Sequence, residues 1–103
     1  MYIHIETSYF KVDEVDLVES LIKENTKILY IETPTNPAVD ILDLEVIGEI
    51  AKKYNLIFIV DNCFATPYIQ QPIKFGADLV IHSATKLIDG QGRVLGGVTV
   101  GNK

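Results

Sequence analysis

Apolar residues in this chain follow two spacings. At Lys27-Ile28-Leu29-Tyr30-Ile31-Glu32, Leu56-Ile57-Phe58-Ile59-Val60 and Asp78-Leu79-Val80-Ile81-His82 they form short runs rich in β-branched and aromatic side chains. Such runs predict buried strands. Between them the apolar positions recur every three or four residues. Val15, Val18, Leu21 and Ile22 predict a helix over Glu14–Glu24, and Leu44, Ile47, Ile50, Ala51 and Tyr54 predict a second. Asp13 and Asp43 stand where each helix needs an N-cap. On the outer side of the second, Glu49 and Lys53 are spaced for an i,i+4 ion pair. Ile5–Phe10 is β-favourable but short and mixed in polarity, and the opening Met1-Tyr2-Ile3-His4 is also strand-like. A helical turn is expected between Pro67 and Phe75, ended by Gly76, and a last strand at Gly97–Gly101.

Strands alternating with helices predict an α/β fold, a mostly parallel sheet with flanking helices and right-handed crossovers. The glycine-rich stretch Leu87–Gly97 is the one long loop, and no helical pattern separates it from the last strand. That strand is therefore expected to run antiparallel. Two good helices hardly cover both faces of such a sheet, so the chain is expected to be part of a larger domain.

Composition narrows the classes. With 103 residues, 48% hydrophobic and 22% charged, the chain is globular and holds one domain at most. A net charge of −5 leaves no basic footprint, so nucleic acid is not an expected partner. No apolar run approaches the roughly 18 residues that span a bilayer, and no basic stretch opens the chain as in a signal peptide. The single cysteine, Cys63, excludes an internal disulfide and fits a reducing, cytoplasmic setting.

Candidate chemistry gathers at the ends of the strands. In open α/β sheets ligands bind beyond the carboxyl ends of the strands, which places Glu32 to Asn36, Asp61-Asn62 and Ser83 to Lys86 on one rim. A carboxylate at Asp61, hydroxyls at Ser83 and Thr85 and an amine at Lys86 together suit pyridoxal phosphate: a partner for the pyridinium, donors for the phosphate and a Schiff-base lysine. Each residue also has a plainer reading. Asp61 can cap loop amides, Lys86 can be a solvated surface lysine, and Ser83 and Thr85 can be ordinary turn residues. Both Thr33 and Asn36 precede proline, so Thr33–Pro37 is a rigid turn whose Asn36 amide can point toward a cofactor or substrate. His82 reads as a satisfied core histidine and Cys63 as a packing residue. Gly90-Gln91-Gly92 is a weak match to a phosphate loop, because no helix pattern follows it. No His/Asp/Glu cluster accompanies Asp61, which weakens a metal-dependent hydrolase and leaves no metal expected. A non-catalytic α/β module stays open.

Taken together, Ile31-Glu32-Thr33-Pro34-Thr35-Asn36-Pro37, Val60-Asp61-Asn62-Cys63-Phe64-Ala65-Thr66-Pro67 and His82-Ser83-Ala84-Thr85-Lys86 resemble the Cys/Met metabolism, or trans-sulfuration, family of pyridoxal-phosphate enzymes. The likeness runs from about Ile5 to the C-terminus, with Gly76-Ala77-Asp78 correctly placed between the last two motifs. It implies the fold-type-I, aminotransferase-like large domain. It also implies a Schiff base between pyridoxal 5'-phosphate and Lys86, Asp61 on the pyridine nitrogen, and Ser83 and Thr85 near the phosphate. Asn36 would lie near the ring oxygen or the substrate carboxylate, and Lys86 would later act as the general base.

Within the family, Asp89-Gly90-Gln91-Gly92-Arg93-Val94-Leu95-Gly96-Gly97 is similar to the O-succinylhomoserine sulfhydrylase branch. The resemblance then implies replacement of the acyl group of an O-acylhomoserine by sulfide or a thiol, giving homocysteine with sulfide. The γ-synthase and γ-lyase branches are the alternatives. Cys63 departs from the threonine or valine common at its position. Family members are about four times longer and form homotetramers. By that measure residues 1–103 are expected to be the central part of the cofactor-binding domain, lacking the N-terminal segment and the C-terminal domain, and inactive alone.

Overall fold

The computed structural model describes residues 4–101, so Met1–Ile3 of the strand-like opening lie outside the described residues. Four strands form one sheet in the order β1 (Ile28–Glu32), β2 (Ile57–Asp61), β3 (Leu79–Ser83) and β4 (Gly97–Gly101). The first three are parallel and β4 is antiparallel to β3, as the missing crossover helix required. Helix α1 (Val18–Leu21) precedes β1, α2 (Leu44–Lys53) joins β1 to β2, and α3 (Thr66–Ile69) with a 3-10 turn at Pro72–Phe75 joins β2 to β3. The α/β class and the mostly parallel sheet expected from sequence are what is found.

Helix α2 forms where the pattern placed it. Asp43 is its N-cap, and its Oδ1 accepts from the backbone N–H groups of Glu45 (2.9 Å) and Val46 (3.3 Å). Leu44, Ile47, Ile50 and Ala51 turn inward onto Leu29, Ile31, Phe58, Val60 and Val80, and together they make the core. At Gly48 the helix meets the backbone carbonyl of Phe75 so closely that a Cβ would collide with it.

Three local expectations are corrected. Residues 4–10 carry no regular structure, so Ile5–Phe10 is not a strand; its mixed polarity gives it no face to bury. The helix expected over Glu14–Glu24 with an Asp13 cap is instead a 3-10 stretch over Val12–Leu17 followed by the single turn of α1, and Lys11 is the residue at its N-terminal boundary. Only Val18 of that segment is buried, and the Ser20 hydroxyl donates to the carbonyl of Leu17 at 2.6 Å, competing with helical bonding. Lys53 does not pair with Glu49. It donates to Glu19 at 2.6 Å, where the Tyr54 hydroxyl also donates at 2.8 Å, so α2 is tied to α1 instead. Lys53, followed by Tyr54, holds the Glu19 carboxyl below its ordinary range.

Right-handed crossovers put α2 and α3 on the same side of the sheet. Burial alternates along the strands accordingly: Leu29, Ile31, Phe58, Val60, Val80 and His82 are covered, while Ile28, Tyr30, Ile57 and Leu79 are exposed. The sheet has one packed face and one open face, and the open face is apolar. Of the candidate residues, Asp61 and Ser83 stand on it.

Candidate functional site

Strands β2 and β3 each run one residue past the apolar run that marks them in the sequence, taking in Asp61 and Ser83. Register then aligns the polar ends. Glu32 lies beside Asp61, and Asp61 beside Ile81, with Ser83 two residues farther along β3. Since side chains alternate, Glu32, Asp61 and Ser83 all share the open face at the carboxyl end of the sheet.

Asp61 is half-buried there and both of its oxygens are engaged. Oδ1 accepts from the backbone N–H of Cys63 at 3.1 Å, so the plain capping role is real. Oδ2 accepts from the Tyr30 hydroxyl at 3.2 Å, reaching across from the neighbouring strand. A carboxylate has about four acceptor positions, so Asp61 can still receive a ring N–H. Burial, and then the Asp61 charge, push the Tyr30 phenol up to about 12. Burial, then a hydrogen bond to Asp61 and its charge, push the Cys63 thiol up to about 11. Cys63 is therefore protonated at neutral pH and is not an activated nucleophile.

Ser83 precedes a wide, π-type turn over Ala84–Ile88, and its hydroxyl makes no capping bond. The Thr85 hydroxyl is already committed. It donates to the carbonyl of Gly96 at 3.2 Å and accepts from the N–H of the same residue at 2.9 Å, fastening the turn to the approach of β4. Ser83 thus has a donor free for a phosphate, whereas Thr85 must release Gly96 to give one. Lys86 is exposed and its backbone leaves the helical region inside the turn (φ −85°, ψ −124°). The two ion pairs among the described residues are Lys23–Glu6 and Lys53–Glu19, so Lys86 is in neither. An accessible amine beside an uncommitted hydroxyl and a held carboxylate fits the group proposed from sequence.

Asn36 stands in an exposed turn after β1. It borders a hollow of about 1450 Å³ between residues 4–13 and the β1 edge, which Tyr30 and Glu32 also line but Asp61, Ser83 and Lys86 do not. Asp61 and Ser83 are brought to one face, while Asn36 sits to its side. The loop Gly90-Gln91-Gly92 is organised inward: Asp89 Oδ2 accepts from the N–H groups of Gln91 (3.2 Å) and Arg93 (3.1 Å), which removes those donors from any phosphate. His82 is buried as expected but not satisfied, since its Nδ1 has no hydrogen-bond partner among the described residues.

Sequence reading passed over Tyr30 and a buried amide pair. Asn62, fully buried, donates from Nδ2 to the carbonyls of Thr66 (3.2 Å) and Gln70 (2.9 Å). Gln70 Nε2 donates in turn to Asn62 Oδ1 (2.7 Å) and to the Thr33 carbonyl (2.8 Å). This pair clamps the loop after β2 to the loop after β1, beside Asp61. It also holds Thr66, whose φ of 63° is rare for a β-branched residue. One signal for Tyr30 was present: it has the parity of Glu32, and a diagonal neighbour on the next strand is within reach of a long aromatic side chain.

Comparison with known proteins covers the same rim. A model of the Cys/Met metabolism PLP-dependent enzymes matches residues 2–103. The chain is 47% identical over 97 residues to an O-succinylhomoserine sulfhydrylase of Pseudomonas aeruginosa, covering 94% of this chain and 24% of that protein. It is 50% identical over 96 residues to a cystathionine γ-lyase of Bacillus subtilis, covering 93% and 25%. A putative O-acetylhomoserine (thiol)-lyase from Campylobacter jejuni, solved with a pyridoxyl-lysine phosphate, superposes with a TM-score of 0.86 at 42% identity, covering 91% of this chain and 23% of that one. The chain spans about a quarter of the length of the relatives it matches.

Proposed function

Because this chain belongs to the Cys/Met metabolism PLP-dependent enzyme family, we propose that it carries the cofactor-anchoring half of a trans-sulfuration active site. The observation that carries this is the shared open face, with a carboxylate held by two donors at the end of β2 and a hydroxyl without a capping bond at the end of β3, followed by a turn whose lysine is in no ion pair among the described residues. In this reading Lys86 Nζ is the covalent anchor and Asp61 accepts from the pyridine N–H. Ser83, and Thr85 once released from Gly96, donate to the phosphate. Asn36 approaches from the β1 side toward the ring oxygen or the substrate carboxylate. Bound there, pyridoxal phosphate supplies a protonated ring that withdraws electrons from an attached amino acid.

The chain's own residues then have distinct tasks. Asp61, held by donors on both of its oxygens, would keep a proton on the ring nitrogen. Lys86, exposed in its turn, would move a proton between substrate carbons whenever it is not the anchor. The apolar face formed by Ile59 and Ile81 gives a flat ring a dry floor.

For the reaction, we favour replacement of the acyl group of O-succinylhomoserine, or of O-acetylhomoserine, by sulfide to give homocysteine. Its support is the Asp89–Gly97 loop and the likeness to the Pseudomonas sulfhydrylase. Elimination from cystathionine is the second reading, supported by the equally close Bacillus γ-lyase. Setting these residues into a full-length relative in place of its matching quarter, and supplying cofactor, O-succinylhomoserine and sulfide, separates them. Homocysteine formation well above the rate of 2-oxobutanoate release from cystathionine is expected, and the reverse ratio would replace the first reading with the second.

A further inference from the structure

Asp61 is held by two groups, and only one of them is local. The Cys63 N–H that reaches Oδ1 comes with the turn, two residues along the chain. The Tyr30 hydroxyl that reaches Oδ2 comes from a different strand, 31 residues away, and has no other hydrogen-bond partner among the described residues. A carboxylate with one donor can pivot, because its terminal torsion is broad. It also stands next to a like charge, since Glu32 is its register partner on β1. The phenol therefore supplies what the turn does not, a second fixed point on the side of the carboxylate toward β1.

We propose that Tyr30 is a positioning residue for Asp61, holding its carboxylate by a hydrogen bond to Oδ2 so that the remaining acceptor positions face the cofactor's ring nitrogen. This rests on the reading that Asp61 meets that nitrogen. Tyr30 acts only through Asp61 and touches no reacting atom. The hydroxyl is the active part, and the ring does no more than carry it across the sheet face. The phenol stays protonated over the whole useful range, since burial and Asp61 push it up to about 12, so the donor is always present.

A double-mutant cycle tests the proposal in the protein reconstituted with pyridoxal phosphate. Tyr30→Phe keeps the ring and deletes the hydroxyl, Asp61→Asn deletes the charge, and the pair are combined. Cofactor retention is read from visible absorbance, with the borohydride-fixed adduct at Lys86 as control. The expected result is a roughly tenfold loss of retention for Y30F alone, within the range of a hydrogen bond to a charged group, and no further loss when Y30F is added to D61N. An equal effect of Y30F in both backgrounds, or none in either, would overturn the positioning role. A D61N protein that retains cofactor as well as the parent, or a parent without the Lys86 adduct, would count against the cofactor reading instead. A second readout needs no cofactor. In ¹³C-tyrosine NMR the Tyr30 phenol should titrate near 12 and move down in D61N; a titration unmoved by D61N would show that the hydrogen bond is not made.

Discussion

At the scale of the residue, the structure separates groups that a motif treats alike. Ser83 and Thr85 are both hydroxyls flanking Lys86, yet one is uncommitted and the other is bound twice to Gly96. Cys63 sits two residues from Asp61, where a thiol invites a catalytic reading, but burial and the neighbouring charge both disfavour its thiolate. The sign is simple: a thiol raised from 9.0 to about 11 has less thiolate at every pH below that value. Two units correspond to about a hundredfold less thiolate in the folded protein than in the unfolded chain at pH 8. Iodoacetamide should therefore alkylate Cys63 far more slowly in the native protein than in urea, with the native rate still climbing between pH 9 and 11. Equal rates in the two states would mean that the thiol is not shielded.

At the scale of the element, α2 is the member on which the packed face depends. Its cap and its apolar stripe were legible in the sequence, because Asp43 and the spacing of Leu44, Ile47, Ile50 and Ala51 act locally. The three strands were legible for a related reason, being apolar runs too short for helices. What was not legible depends on partners distant in sequence. Lys53 chose Glu19 over Glu49, and Tyr30 found Asp61, through contacts that no local spacing encodes. The first helix is broken up although Val15, Val18 and Ile22 reach the core, and only Val18 of them is fully buried. Gly48 is another such case. Alanine normally gains about 1 kcal/mol over glycine inside a helix, yet here its methyl would meet the Phe75 carbonyl. Gly48→Ala should lower the urea midpoint instead of raising it, with a loss of unfolding free energy of roughly 1–3 kcal/mol for an overpacked site. A stabilised variant would mean that α2 and the Pro72–Phe75 turn sit farther apart than described.

At the scale of the whole molecule, the fold explains why the chemistry lies where it does. Sequential parallel strands joined on one side leave the opposite face bare, and every second residue of β1, β2 and β3 is presented there. Glu32, Asp61 and Ser83 gather at its carboxyl edge because the strands are in register. The apolar remainder of that face, with Ile28 and Ile57 about half exposed, is unusual for a surface that meets only water. It is the kind of floor on which an aromatic cofactor can lie. Among the described residues no helix is long and apolar enough to cross a membrane. The proposed anchor for pyridoxal phosphate at the edge of this face is Lys86. Incubation with the cofactor, reduction with borohydride and peptide mapping by mass spectrometry test it directly. A pyridoxyl adduct on Lys86 that is lost in Lys86→Ala is expected, whereas an adduct concentrated on another lysine such as Lys74, or none at all, would rule out Lys86 as the anchor.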